Sequence, residues 1–212
     1  MQVAVPLFPR MTALDAIGPY EVLQRVPDID VVFVGECRGE VRTENGMLGL
    51  SVDATFADIP SPDVVVVPGG IGSRALLAGG PLVDWVRAAH PGTRFTTSVC
   101  SGALVLGAAG LLDGLTATTH WGAFDVLARF GATPVTQRVV EHLPERIVTA
   151  AGVSAGIDMA LRLLELLVDD VAAQAAQVFI EYDPQPPFDA GHPSKVSDEV
   201  RARLAEYRTV RS

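Results

Sequence analysis

The 212-residue chain carries a formal net charge of −9 and is 49% hydrophobic, enough to bury a sizeable core in one large domain or two small ones. The acidic balance argues against nucleic-acid binding, which needs clusters of Lys and Arg to meet phosphates, and against attraction to anionic lipid. No apolar stretch approaches the roughly 18 residues of a membrane span. The two cysteines, Cys37 and Cys100, make no disulfide framework and fit a reducing cytosol. The start Met1-Gln2-Val3-Ala4-Val5-Pro6 lacks a basic region and a cleavage site, so it reads as a first strand rather than a signal peptide, and the expected location is cytoplasmic.

In chain order, Gln2 to Leu7 is strand one. Pro19 favours a helix start, which places a main helix from about Gly18 to Arg25 with Asp15 in its approach. Asp15 suits a capping role there. Ile29 to Gly35 is an apolar strand suited to burial on both faces, and Cys37 after it reads as structural. Glu40–Arg42 and Met47–Leu50 flank Asn45-Gly46, a strong hairpin signal. Val64 to Val67 is a central parallel strand. Gly69, Gly70 and Ile71 follow it; they either turn the chain or offer bare backbone N–H groups to a ligand. Helices are expected at about 73–78 and 81–90. Leu115 to Trp121 is a short strand ending at His120, followed by a helix from Gly122 to Phe130 closed by Gly131. Gln137–Val140 and Arg146–Thr149 are strands, 157–167 and 170–182 are helices, and Pro184, Pro186 and Pro187 break regular structure. Ser197-Asp198-Glu199 opens a final helix. The whole chain reads as a single domain, with the Pro-rich segment and last helix, 183–212, packing on it. Alternating strands and helices indicate an α/β fold with a mostly parallel sheet, whose ligands bind outside the carboxyl ends of the strands.

The stretch Arg94 to Gly107 organises the chain. A β-branched strand stops, Cys100 occupies the joint, and the small-residue helix beginning at Gly102 starts at once. This is the strand–turn–helix pattern of a nucleophile elbow with cysteine in place of serine. A thiol near a helix N-terminus is expected to have a lowered pKa; a lone cysteine can equally be inert packing. Three strand exits should converge: Gly69-Gly70, Cys100-Ser101 and His120. His120 is read as a wall or binding residue ahead of a general base. Cys100, His120, His142 and His192 form no recognisable ligand spacing, so neither metal nor cofactor is expected.

Taken together, Asp15, Val67-Pro68-Gly69-Gly70, the Cys100 elbow and Thr118-Thr119-His120 resemble the ThiJ/PfpI superfamily of class I glutamine-amidotransferase-like folds. More narrowly, the chain is similar to the isonitrile hydratase branch. The residues that carry this are Asp15 to Val22, Ser98 to Ala103, Thr118 to Trp121, Ala155 to Asp158 and Glu181 to Gly191. The resemblance implies a flavodoxin-like three-layer sandwich, a homodimer, a cysteine nucleophile at Cys100 and an acidic partner at Asp15. In that branch the residue after the cysteine is usually threonine; here it is Ser101, which keeps the hydroxyl. The same sheet also occurs in the ligand-sensing half of AraC-type regulators, although 212 residues leave no evident room for a DNA-binding half.

The expected activity is therefore hydration of a small-molecule isonitrile to an N-substituted formamide. Asp15 and Cys100 would share one proton, with thiolate on sulfur and Asp15 as acid, through a thioimidate. Ser101 and the amides of Gly70 and Ile71 would position water and stabilise charge, with Gly69, His120 and Trp121 completing the binding site. The competing expectations are a non-enzymatic small-molecule sensor, and a stress or redox protein acting through oxidation of Cys100.

Overall fold

The computed structural model describes residues 1–209, which fall into two compact units, Met1–Ile180 and a second beginning at Glu181. The first contains β1 (Gln2–Pro6), α1 (Ala13–Leu23), β2 (Asp30–Gly35), β3 (Gly39–Arg42), β4 (Gly49–Val52), β5 (Ala54–Thr55), β6 (Val64–Val67), α2 (Pro81–Ala89), β7 (Phe95–Val99), α3 (Gly102–Ala108), β8 (Thr116–Ala117), α4 (Phe124–Leu127), β9 (Thr133–Pro134), β10 (Val139–His142), β11 (Ile147–Ala150), α5 (Ala155–Leu167) and α6 (Asp170–Phe179). The second holds α7 (Asp198–Thr209), preceded by a 3-10 turn at Pro193–Lys195. Within it Lys195 pairs with Asp189, and Arg201 donates to the Pro193 carbonyl. No described helix is long and apolar enough to cross a membrane.

Seven strands form the main sheet in the order β10-β11-β7-β6-β1-β2-β5. Every pairing is parallel except β10 with β11. The α/β reading with a mostly parallel sheet therefore holds. The centre is where the chain's β-branched residues lie: all four valines of β6 are fully buried, as are Val3 to Val5 of β1 and Thr96 to Val99 of β7. A strand covered by helices on both faces has no solvent side, which is why β6 is an unbroken valine run. β2 lies nearer the edge and is only half-buried over Val31 to Phe33, short of the two-sided burial expected of it. Cys37, beyond its end, is exposed and outside the buried core, so its structural reading is corrected.

Two helical stretches differ from expectation. α1 starts at Ala13, five residues before Gly18, and Pro19 lies inside it. The missing proline N–H is outweighed by burial, since Ala16, Gly18, Pro19, Val22 and Leu23 all face inward, and Gly18 brings α1 close to Ile157 of α5. The helix expected over 122–130 is broken into a 3-10 turn at Trp121–Ala123, α4, and a second 3-10 turn at Ala128–Phe130. It does end at Gly131, which adopts the left-handed φ of 78°.

The hairpin β3–β4 stands apart as its own two-stranded sheet. Its tip is held to the loop after β1: Arg10 N–H donates to the Arg42 carbonyl at 2.9 Å and Glu44 N–H to that of Met11 at 3.1 Å.

α3 anchors the elbow from below through Leu104 and Leu106, both fully buried. Leu104→Ala should lower the unfolding free energy by about 2–5 kcal/mol, read from urea denaturation. The same change at Met47, 82% exposed on the hairpin, should stay within about 0.5 kcal/mol of wild type.

Candidate active site

Cys100 follows β7 directly and takes a left-handed φ of 57°. A side chain with a Cβ pays strain there. The surroundings hold the turn in place: Cys100 N–H is shared between the carbonyls of Ala150 (3.1 Å) and Ala151 (2.9 Å), and Thr119 Oγ1 donates to the Cys100 carbonyl at 2.8 Å. β7, Cys100 and α3 follow one another directly, and two segments, Ala150-Ala151 and Thr119, hold the turn between them.

Asp15 sits in the first turn of α1, fully buried. It does not cap the helix. Thr12 is the N-cap residue, and Asp15 Oδ2 instead accepts the Gly69 N–H at 2.9 Å. Its Oδ1 is buried without a hydrogen bond of ordinary geometry, and the thiol of Cys100 is the polar side chain that meets the carboxyl. Burial raises the Asp15 pKa to about 7; the Gly69 amide and the thiol oppose the rise and the charge of Glu44 adds to it.

Burial also raises the Cys100 thiol, to about 12, and the neighbouring Asp15 charge adds to the rise. Hydrogen bonds from the backbone at Val153 and Ser101 work the other way. The lowered thiol pKa expected from the sequence is therefore corrected. With 5% of its surface exposed, Cys100 loses more from desolvation and from a carboxylate beside it than two amides and the three-to-four-residue reach of a helix end restore. The pair holds a proton in common, because neither member tolerates charge while the other carries it.

The strand exits do converge, but their amides are already committed. Gly69 N–H goes to Asp15, Gly70 N–H to Ser101 Oγ at 2.9 Å, and Ile71 N–H to Glu44 Oε1 at 3.0 Å. The expectation of bare donors at Gly70 and Ile71 is corrected accordingly. These glycines are needed for close approach. A Cβ on Gly69 would sit 2.5 Å from the Ser101 nitrogen, and Gly70 has φ of 124°. Ser101 is woven into this turn. Its hydroxyl lies 3.0 Å from both the Gly70 carbonyl and the Ser73 hydroxyl, and the buried Ser73 also donates to that carbonyl at 2.8 Å.

His120 and Trp121 lie side by side, ring centroids 5.0 Å apart. His120 Nδ1 accepts the Gly122 N–H at 3.1 Å, which leaves the proton of the neutral ring on Nε2. The ring edge rests against Gly152, next to the segment that bonds Cys100.

Two contributors carry no signal in the sequence. Glu44 lies in the turn between the strands expected at Glu40–Arg42 and Met47–Leu50. Val153, at φ of 37°, contributes a backbone group, which its apolar side chain does not mark. Among the described residues no group of three or more His, Cys, Asp or Glu could hold a metal ion.

The profile of the DJ-1/PfpI family matches residues 1–166. The chain is 44% identical over 209 residues to the isonitrile hydratase of Pseudomonas putida, covering 97% of this chain and 90% of that one. It is 33% identical over 145 residues to the HTH-type transcriptional regulator CdhR of Pseudomonas aeruginosa, covering 67% of this chain and 42% of the regulator. A crystal structure of a ThiJ/PfpI family protein from Pseudomonas syringae superposes with a TM-score of 0.91 at 35% identity, covering 99% of this chain and 86% of that one. With its parallel sheet, its cysteine elbow and a match over most of its length, the chain belongs to the DJ-1/PfpI family.

Proposed function

We propose that this protein hydrates an isonitrile to an N-substituted formamide, with Cys100 as nucleophile and Asp15 as acid and base. The observation that carries the reading is that Asp15, fully buried, and Cys100, 5% exposed, lie near enough for each to shift the other's titration. The likeness to the Pseudomonas putida isonitrile hydratase supports the choice of substrate.

An isonitrile carbon bears a lone pair and also accepts a nucleophile, so the reaction needs a proton donor and an attacking atom at one centre. The pair supplies both. The sulfur–hydrogen bond breaks as the sulfur–carbon bond forms, and Asp15 passes the proton to the carbon lone pair, giving a thioimidate on Cys100. Water then adds across the carbon–nitrogen double bond; Asp15 takes one of its protons and the nitrogen gains one. The carbon–sulfur bond breaks, the hydroxyl proton returns to the pair, and the formamide leaves. One isonitrile and one water are consumed, and the enzyme ends as it began. The uncharged thiol of the resting pair suits this sequence, because the proton that must reach carbon is already in the contact.

Ser101 is suited to guiding the water. Its hydroxyl accepts the Gly70 N–H and donates to the Gly70 carbonyl, so guiding a water means exchanging that second bond. Gly69, Gly70 and Ile71 act through the groups their amides hold. His120 and Trp121 form the wall for the isonitrile substituent. A homodimer in the cytoplasm, needing neither metal nor cofactor, completes the proposal. The likeness to CdhR favours a sensor as the second reading.

Cys100→Ala should abolish formamide production from cyclohexyl isonitrile, and Asp15→Asn should lower kcat by about 100-fold or more, measured by chromatography of the product. Wild-type activity in Cys100→Ala would exclude the mechanism, and an inactive wild type would favour the sensor.

The reactive form is the pair with a single proton. Since Asp15 titrates at about 7, kcat/KM should rise with pH through that value and then level off. A profile flat from pH 5 to 9 would oppose the assignment of Asp15.

A further inference from the structure

The half-buried carboxylate of Glu44 is used by nothing in the reaction as written. It comes from the turn of the β3–β4 hairpin, 29 positions after Asp15 and 56 before Cys100 by their numbers. Two backbone bonds fix the turn: Glu44 N–H donates to the Met11 carbonyl at 3.1 Å, and Glu44 Oε1 accepts the Ile71 N–H at 3.0 Å. Met11 lies on the loop that leads into α1, and Ile71 follows the glycines whose first amide holds Asp15 Oδ2. Glu44 therefore joins the two segments that set the position of Asp15.

Resting on the hydration reading above, we propose that Glu44 is a positioning residue for the Asp15–Cys100 pair, bracing the Gly69–Ile71 turn and driving the shared proton toward the Asp15 carboxyl. The electrostatic argument runs from neighbours to proton. The ionisable side chains whose fields reach Asp15 are Cys100, from the elbow, and Glu44, from the hairpin. The ionisable side chain that reaches Cys100 is Asp15. Nearby charges on the packed elements are engaged elsewhere: Glu21 of α1 with Arg25, Asp158 of α5 with Arg138, and Arg42 of β3 with Glu40. Arg10, on the loop under the hairpin, is bonded through its backbone to Arg42. A negative charge that acts on the carboxyl disfavours a second negative charge there. The proton is thus held on Asp15 more often, sulfur is thiolate more often, and Asp15 is the better acid toward carbon.

Glu44→Gln separates the two parts of this role, since it keeps an oxygen to accept the Ile71 N–H and removes the charge. In formamide production its rise of kcat/KM with pH should move to lower pH by about half a unit or more. Its plateau kcat should fall while KM holds. Glu44→Ala should show the same displacement together with a raised KM, because the turn then loses its brace. A second readout needs no substrate. The raised Asp15 pKa means that this carboxyl binds more proton in the native than in the unfolded state between about pH 4 and 7, so its contribution to stability falls as pH rises through that window. Asp15→Asn lacks this fall. The difference in Tm between Asp15→Asn and its parent should therefore grow across the window, and in a Glu44→Gln background it should stop growing at a lower pH. If the Glu44→Gln rate profile and Tm-difference curve both overlay those of wild type, Glu44 has no such role and the inference is wrong. If wild type yields no formamide, the hydration reading fails, and the Tm comparison alone decides for or against Glu44.

Discussion

A carboxyl and a thiol buried side by side can hold one charge between them, not two. The rest of the molecule is arranged around that constraint. Asp15 is kept there by an amide from the β6 exit, and Cys100 by a left-handed backbone turn held by Ala150-Ala151 and by Thr119. Neither group is stable as an isolated ion at such depth. Each therefore makes the other's proton transferable, which is what the proposed hydration asks of a site that must deliver H and a nucleophile to one carbon.

Burial is the source of both the reactivity and the difficulty. Desolvation pushes Asp15 and Cys100 upward together, against the amides that favour the charged forms. The helix after Cys100 is only seven residues long, and its partial charge is small beside the loss of water and the presence of a carboxylate. An elbow in an open cleft would give a more acidic thiol. Here burial and the neighbouring carboxylate keep the proton on the thiol.

Much of this was legible in the sequence because it is written in residue type. The valines of β6 and the β-branched residues of β7 announce a central sheet, and a cysteine between such a strand and Gly102 announces an elbow. A partnership of Asp15 with Cys100 is implied by the family likeness and not by residue spacing. The spacing of Asp15 from Pro19 suggested a cap, and α1 begins earlier than Pro19 would suggest because its inward face is apolar. What stayed hidden depends on distance in space. Gly69, Gly70 and Ile71 look like free donors until their acceptors arrive from three different elements. Val153 works through a backbone group, which no side chain announces. Glu44 sat in a hairpin turn whose Asn-Gly explained the turn fully and left its carboxylate looking like solvent-facing decoration.

The β3–β4 ribbon shares no strand ladder with the seven-stranded sheet, yet its tip touches the loop ahead of α1 and the turn after β6. Mutations accumulating in that ribbon leave the scaffold's register alone. Descendants of one ancestor could thus diversify their chemistry by rewriting a short appendage, while the expensive part of the fold stays under separate selection.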